Sequence, residues 1–159
     1  LNTQKWKALV PIQHEDKFDV IQPVLLTYPQ NKFQLLNRSK NGAIIETWSG
    51  DSGQTWSTLK PIDLPNPNSG IDGITLQNGH QLLIYNHAGT PAGKWGGNRY
   101  PLNVSLSANG KDWRPSYVLE SNPGEFSYPA VIQSRDGMIH LCYTYNRKTI
   151  KYVTLKLEK

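Results

Sequence analysis

Three arginines, Arg38, Arg99 and Arg147, stand at the borders of strand-like runs. Arginine suits a carboxylate-bearing ligand, because its planar guanidinium stays charged and makes two parallel hydrogen bonds to the two oxygens. Each also has an ordinary alternative as a solvated or ion-paired surface charge, Arg147 most of all because Lys148 follows it. Other groups add proton chemistry. Asp72 follows Asn66-Pro67-Asn68-Ser69-Gly70, a composition that carries a chain over the top of a sheet. Among apolar neighbours such an aspartate gains a raised pKa and serves as a general acid, whereas beside an arginine it stays ionised and orients its partner. Tyr128 offers a phenol for contact or attack, and His87 with a tyrosine can abstract a proton beside a uronate. No His or Cys spacing argues for zinc, and the acidic residues lack the repeated ligands of a calcium loop, so no metal or cofactor is expected.

A repeating β unit must position these groups. Residues 21–37, 71–86 and 128–143 each read as an apolar strand, a polar turn and a second apolar strand. Asn78-Gly79 and Asp136-Gly137 predict two-residue hairpins, and Asn31-Lys32 a poorer version of the same turn. A third strand follows in each unit: Ala43 to Trp48, Leu102 to Leu106, and Thr149 to Leu157. In the first two units it runs into Ser49-Gly50-Asp51-Ser52-Gly53-Gln54-Thr55-Trp56 and, one residue shorter, Ser107-Ala108-Asn109-Gly110-Lys111-Asp112-Trp113. There the Ser and the Asp or Asn accept from nearby backbone N–H groups, Gly takes the positive φ of the bend, and Trp folds back to seal the turn. A short fourth strand then closes those two units. Trp6 to Val10 reads as the outermost strand of a further unit whose inner strands are missing.

The paired turns, the hairpins and the run Phe126-Ser127-Tyr128-Pro129-Ala130 resemble the Asp-box repeats of the sialidase-like (neuraminidase, BNR) β-propellers, over nearly the whole chain and on the C-terminal side of that fold. The resemblance implies an all-β sialidase-like propeller of about three four-stranded blades, one domain forming half of a six-bladed ring. Closed propellers need roughly four to eight blades, so the remaining blades would come from the same protein or from a second copy. The absence of a Met before Leu1 favours a fragment or a processed product.

Propeller geometry sorts the polar residues by face. The starts of inner strands and the ends of second strands share one rim, and the Asp-box turns fall on the other. Asp51 and Asn109 are therefore expected to be structural. The site rim collects Gln22, Asn68, Ser69, Asp72, Glu125, Ser127 and Tyr128 with Arg38, Asn86, His87, Tyr145 and Arg147, and the linker into the third strand of the second blade adds Trp95, Asn98 and Arg99. By resemblance this predicts an exo-glycosidase acting on anionic sugars such as sialic or uronic acids. Arg38, Arg99 and Arg147, with Asn68, Ser69 and Gln22, would bind substrate, and Tyr128, Asp72 and His87 would be catalytic. Sialidases use a Tyr paired with a Glu as nucleophile, and here Phe126 stands equally close to the expected position of that Tyr. The usual Arg-Ile-Pro segment and general-acid loop do not occur in this chain. A uronate-directed lyase using His87 and Tyr128, and a non-catalytic carbohydrate- or protein-binding propeller, are the alternatives. A secreted or periplasmic setting accompanies the family.

Composition agrees with an all-β domain of this kind. The 159 residues carry a net charge of +5 spread along the chain, which fits acidic ligands better than nucleic acid. No apolar run approaches the length of a membrane-spanning helix. The single cysteine, Cys142, has no partner for a disulfide and reads as a packing residue. Glu46, inside a third strand, is expected to face solvent, with support of an arginine or activation of a tyrosine as the alternatives.

Overall fold

The computed structural model describes Ile12 and residues 17–157, so the expected strand Trp6–Val10 and His14 lie outside the described residues. Three antiparallel sheets follow one another along the chain. The first blade is β1 (Val20–Tyr28), β2 (Lys32–Ser39), β3 (Ala43–Ser49) and β4 (Lys60–Pro65). The second is β5 (Asp72–Thr75), β6 (Gln81–Asn86), β7 (Leu102–Ser107) and β8 (Arg114–Glu120). The third holds β9 (Phe126–Gln133), β10 (Ile139–Tyr145) and β11 (Thr149–Leu155), without a fourth strand among the described residues. Sequential pairing within each sheet, with β1, β5 and β9 as neighbouring inner strands, is the blade arrangement that the repeats predict.

Strand periodicity explains how the blades stack. Successive side chains point to opposite faces, so the buried β6 feeds two cores: Leu82 and Ile84 join Leu102, Val131 and Leu141 toward the third blade, while Leu83 and Tyr85 join Val24, Leu36 and Ile71 toward the first. Each fully buried leucine or isoleucine here contributes about 1.5–3 kcal/mol. Among the described residues the third blade has only one such covered face. Its other face exposes Ile132, Ile150 and Tyr152, each more than 60% accessible.

The Asp-box turns are built as expected. Ser49 Oγ accepts from the N–H of Gly53, Asp51 Oδ1 accepts from the N–H of Thr55, and Trp56 Nε1–H donates to the Gly53 carbonyl. In the second box Ser107 Oγ accepts from Gly110 N–H, Asn109 Oδ1 from Lys111 and Asp112 N–H, and Trp113 Nε1–H donates to the Gly110 carbonyl. The inner hairpins differ from expectation in length. Leu76 N–H bonds to the His80 carbonyl and Ser134 N–H to that of Met138, so each loop has three residues, ending in a left-handed Gly79 or Gly137. Asn78 and Asp136 accept from the N–H two residues on, which stabilises this longer loop instead of a two-residue turn. The first hairpin turns over Pro29–Asn31, with Gln30 and Asn31 both left-handed, before pairing resumes at Lys32.

Candidate anion-binding site

The rim opposite the Asp-boxes is organised by backbone irregularities. Ile21 pairs with Arg38 and Pro23 with Asn37, leaving Gln22 as an extra residue on β1. Opposite β10, Ser127 pairs with Thr144 and Ala130 with Cys142, leaving Tyr128 in a second bulge. Both bulged residues precede a proline, which donates nothing to the ladder, and both are left-handed, with φ of 52° and 51°. Asn68 and Arg147 are left-handed as well, at 57° and 53°. Such conformations cost about 1–3 kcal/mol each in non-glycine residues and gather where side chains must be aimed. Asn146 and Arg147 are both left-handed and are closed by Lys148 N–H on the Tyr145 carbonyl, so a tight hairpin turn aims Arg147.

These irregularities bring six of the expected residues together. Arg38 is buried, its Nε–H donating to Asn68 Oδ1 at 2.8 Å and an Nη1–H to Gln22 Oε1 at 2.8 Å. Its guanidinium lies 5.7 Å from the centre of the exposed Trp95 ring. Asn68 is engaged at both ends, since its Nδ2–H donates to the Trp95 carbonyl and its own carbonyl accepts from Arg99 Nη1–H at 2.7 Å. Burial first, and the Arg38 guanidinium second, pull the Arg99 pKa down, against Tyr128 and Glu125, which raise it; Arg147 lowers it further. The exposed Tyr128 ring rests over Gly70: a β-carbon there would stand 3.2 Å from Tyr128 Cδ1 and 3.5 Å from Gln22 Oε1. Gln22, Arg38, Asn68, Arg99, Tyr128 and Arg147 thus form one cluster fed by all three blades.

Charge balance sets this cluster apart. The ion pairs among the described residues are Lys40–Asp19, Arg147–Glu125 and Lys151–Glu120, and neither Arg38 nor Arg99 belongs to one. Their hydrogen bonds go to neutral amide and carbonyl oxygens instead. Arg147 is exposed and touches Glu125 with Nε at 3.4 Å. Glu125 Oε1 also accepts from Ser127 Oγ–H, while its Oε2 is buried with no partner among the described residues. Ser69 is buried beside Asn68 and its Oγ is likewise unpartnered there.

Asp72 and His87 stand apart from the cluster. Asp72 Oδ2 accepts the Val131 N–H at 2.8 Å, tying the inner strand of the second blade to that of the third. Burial raises its pKa, opposed by hydrogen bonds from the Val131 and Gly73 N–H groups. His87 Nδ1 lies 2.5 Å from the buried Tyr85 hydroxyl, whose oxygen accepts from Ser105 Oγ–H. That contact engages one ring nitrogen of His87 with its own strand. Glu46 is also away from the rim, accepting from Gln34 Nε2–H and Trp48 Nε1–H at the other end of the first blade. The sequence pattern missed Gly70 as the support of Tyr128, and the amides of Gln22 and Asn68 as splints for Arg38.

Comparison with known proteins places this architecture. The family model described as BNR repeat-like domain matches residues 2–141. The chain belongs to the BNR repeat-like family. Among solved structures this BNR-repeat chain is similar to the leech intramolecular trans-sialidase (TM-score 0.69, 17% identity, 84% of this chain and 23% of that one). It is also similar to the intramolecular trans-sialidase of Ruminococcus gnavus (0.67, 18%, 89% and 33%) and to the NanB sialidase of Streptococcus pneumoniae, in its K499G form (0.65, 16%, 84% and 23%). These likenesses show an all-β, sialidase-like propeller fold. The chain spans a quarter to a third of the length of those proteins. No curated protein sequence matches it.

Proposed function

We propose that this BNR-repeat chain carries the carboxylate-capturing part of a sialidase-like glycoside hydrolase acting on anionic sugars. One observation carries the reading: Arg38, buried, and Arg99, half-buried, both hold Asn68 on one rim, without a carboxylate in ion-pair contact among the described residues. Burying a cation is costly unless something compensates it, and the carboxylate of a sialic or uronic acid supplies that compensation with the two-oxygen geometry that guanidinium groups match. Arg147 adds a third positive group at the margin, Tyr128 and Trp95 offer aromatic surface to a sugar ring, and Gln22, Asn68 and Ser69 line the floor. Asp72 and His87 serve the blades in this reading, through the Val131 N–H and the Tyr85 hydroxyl, rather than proton transfer to substrate. The proposal extends to partners. Among the described residues the outer face and edge of the third blade are uncovered where the matching surfaces of the first two blades are covered, which supports further blades, from the same polypeptide or a second copy, as their cover.

Calorimetric titration with 3′-sialyllactose and with lactose tests the reading. Binding of the sialylated sugar alone supports it, and equal affinity for the two sugars, or none for the charged one, overturns it. Release of a fluorogenic aglycone from a sialoside is the matching test of hydrolysis.

A further inference from the structure

The residue that meets Tyr128 across Gly70 is an amide. Gln22 and Tyr128 occupy comparable places in their blades, each a left-handed bulge residue near the start of an inner strand and each followed by a proline. Both would touch the same added β-carbon at position 70. The Gln22 amide is oriented by its bond to Arg38: Oε1 accepts from Nη1–H, so Nε2, with two N–H donors and no acceptor, is the free half. A donor amide backed by a guanidinium takes no proton at neutral pH.

The carboxylates nearby each have one oxygen engaged away from the Tyr128 hydroxyl, and Glu125 Oε2, buried and unpartnered among the described residues, makes no bond to it. Glu125 Oε1 is held by Ser127 and Arg147, and Asp72 Oδ2 by the Val131 N–H. A phenol attacks a sugar carbon as phenolate, so its proton must pass to a base as the bond forms. Among the described residues no carboxylate is hydrogen-bonded to the Tyr128 hydroxyl. We infer that Gln22 fixes the role of Tyr128, holding it to ligand contact and withholding the base that nucleophilic attack requires. The free Nε2–H donors of Gln22 then face a ligand oxygen beside the arginine pair, which makes Gln22 a specificity-determining residue for an acceptor-bearing anionic sugar. This inference rests on the proposed anionic-sugar reading.

Gln22→Glu converts the amide into a carboxylate that still accepts from Arg38. With a sialyl fluoride bearing a second fluorine at C3, the predicted step in that variant is balanced without any acid. The Tyr128 O–H proton passes to the introduced carboxylate, the phenolic oxygen bonds to the anomeric carbon, and the carbon–fluorine bond breaks to release fluoride. The experiment is intact-mass measurement after incubation with this reagent, with peptide mapping of any adduct, alongside titration of 3′-sialyllactose. The expected result is binding by the wild-type protein with no adduct within the incubation, and in Gln22→Glu an adduct on Tyr128 within the same time, as the roughly 10²–10⁴-fold effect of a positioned base predicts. Tyr128→Phe in the Gln22→Glu background abolishes that adduct, and Gln22→Ala weakens binding without forming one. A Tyr128 adduct in the wild-type protein overturns the inference while leaving the anionic-sugar reading intact. Failure of Gln22→Glu to form an adduct while it still binds the sugar overturns the inference in the same way. Absence of sialyllactose binding by the wild-type protein sinks both.

Discussion

The two rims of this propeller segment solve the burial of polar groups in opposite ways. On the Asp-box rim Ser49 and Asp51, and their counterparts Ser107 and Asn109, commit their oxygens to backbone N–H groups within their own turns. On the arginine rim Arg38 and Arg99 rest on neutral amide and carbonyl oxygens, Gln22, Asn68, Tyr128 and Arg147 are left-handed, and Ser69 Oγ and Glu125 Oε2 are buried without partners among the described residues. The first pattern stabilises a turn and leaves nothing for a ligand. The second stores cost in the free protein, which a bound carboxylate would relieve in the proposed function.

Two glycines give the sharpest contrast between the rims. Gly110 is left-handed, and a β-carbon there would run into the Tyr28 hydroxyl, Gln34 Oε1 and the Trp48 ring, which join the first blade to the second Asp-box. Gly110→Ala is expected to cost at least about 2 kcal/mol of stability, seen as a lowered urea midpoint. Gly70 faces the exposed Tyr128 ring, which can shift by a few tenths of an ångström. Gly70→Ala is therefore expected to cost less than about 1 kcal/mol of stability while weakening sugar binding.

Arg38→Ala should reverse that balance. Loss of a charge-assisted contact worth about 1.5–3 kcal/mol predicts roughly a ten- to hundredfold weaker titration with sialyllactose. Asp51→Ala, on the other rim, should leave that titration unchanged and lower the thermal midpoint.

Acid titration separates the rims further. Hydrogen bonds from Thr55 side chain and backbone, and from Ser49, hold Asp51 down at about 2. A depressed carboxylate contributes stability that is complete above its unfolded value, about 3.9, and is lost as pH falls toward the folded one. Asp51→Asn, which copies the uncharged Asn109 of the second box, should flatten the stability profile between about pH 4 and pH 2. Asp72 has the opposite sign, because burial raises its pKa and favours the protonated form in the fold. Its contribution falls as pH rises through the folded value, so Asp72→Asn should raise the midpoint slightly at neutral pH. That is the smallest effect expected here.

Much of this arrangement is legible in the residues. Strand pairs with alternating apolar positions, and turns carrying Ser, Asp or Asn, Gly and Trp at fixed offsets, are local signals, and they place the blades, the boxes and the arginine-bearing rim. What escapes is set by tertiary contact. Asn-Gly and Asp-Gly predict two-residue turns because the dipeptide alone does not show that Leu76 and Ser134 pair one residue further on. Gln22, Tyr128 and Arg147 have no local preference for positive φ, so nothing in their types announces the bulges and the tight turn that aim them. Asp72 and His87 look chemical by composition, but the Val131 N–H and the Tyr85 hydroxyl, which engage them, belong to a neighbouring blade and to a buried strand position.

The central claim is that Arg38 and Arg99 receive one carboxylate between them. The direct test is to follow the Nε–Hε resonances of these two arginines by ¹⁵N NMR while N-acetylneuraminate is added, with Arg38→Lys and Arg99→Lys to assign them. The account predicts that both resonances shift together along one saturable curve while those of Arg114 and Arg135 stay fixed. Saturable binding of the sugar that leaves both resonances unmoved would contradict it.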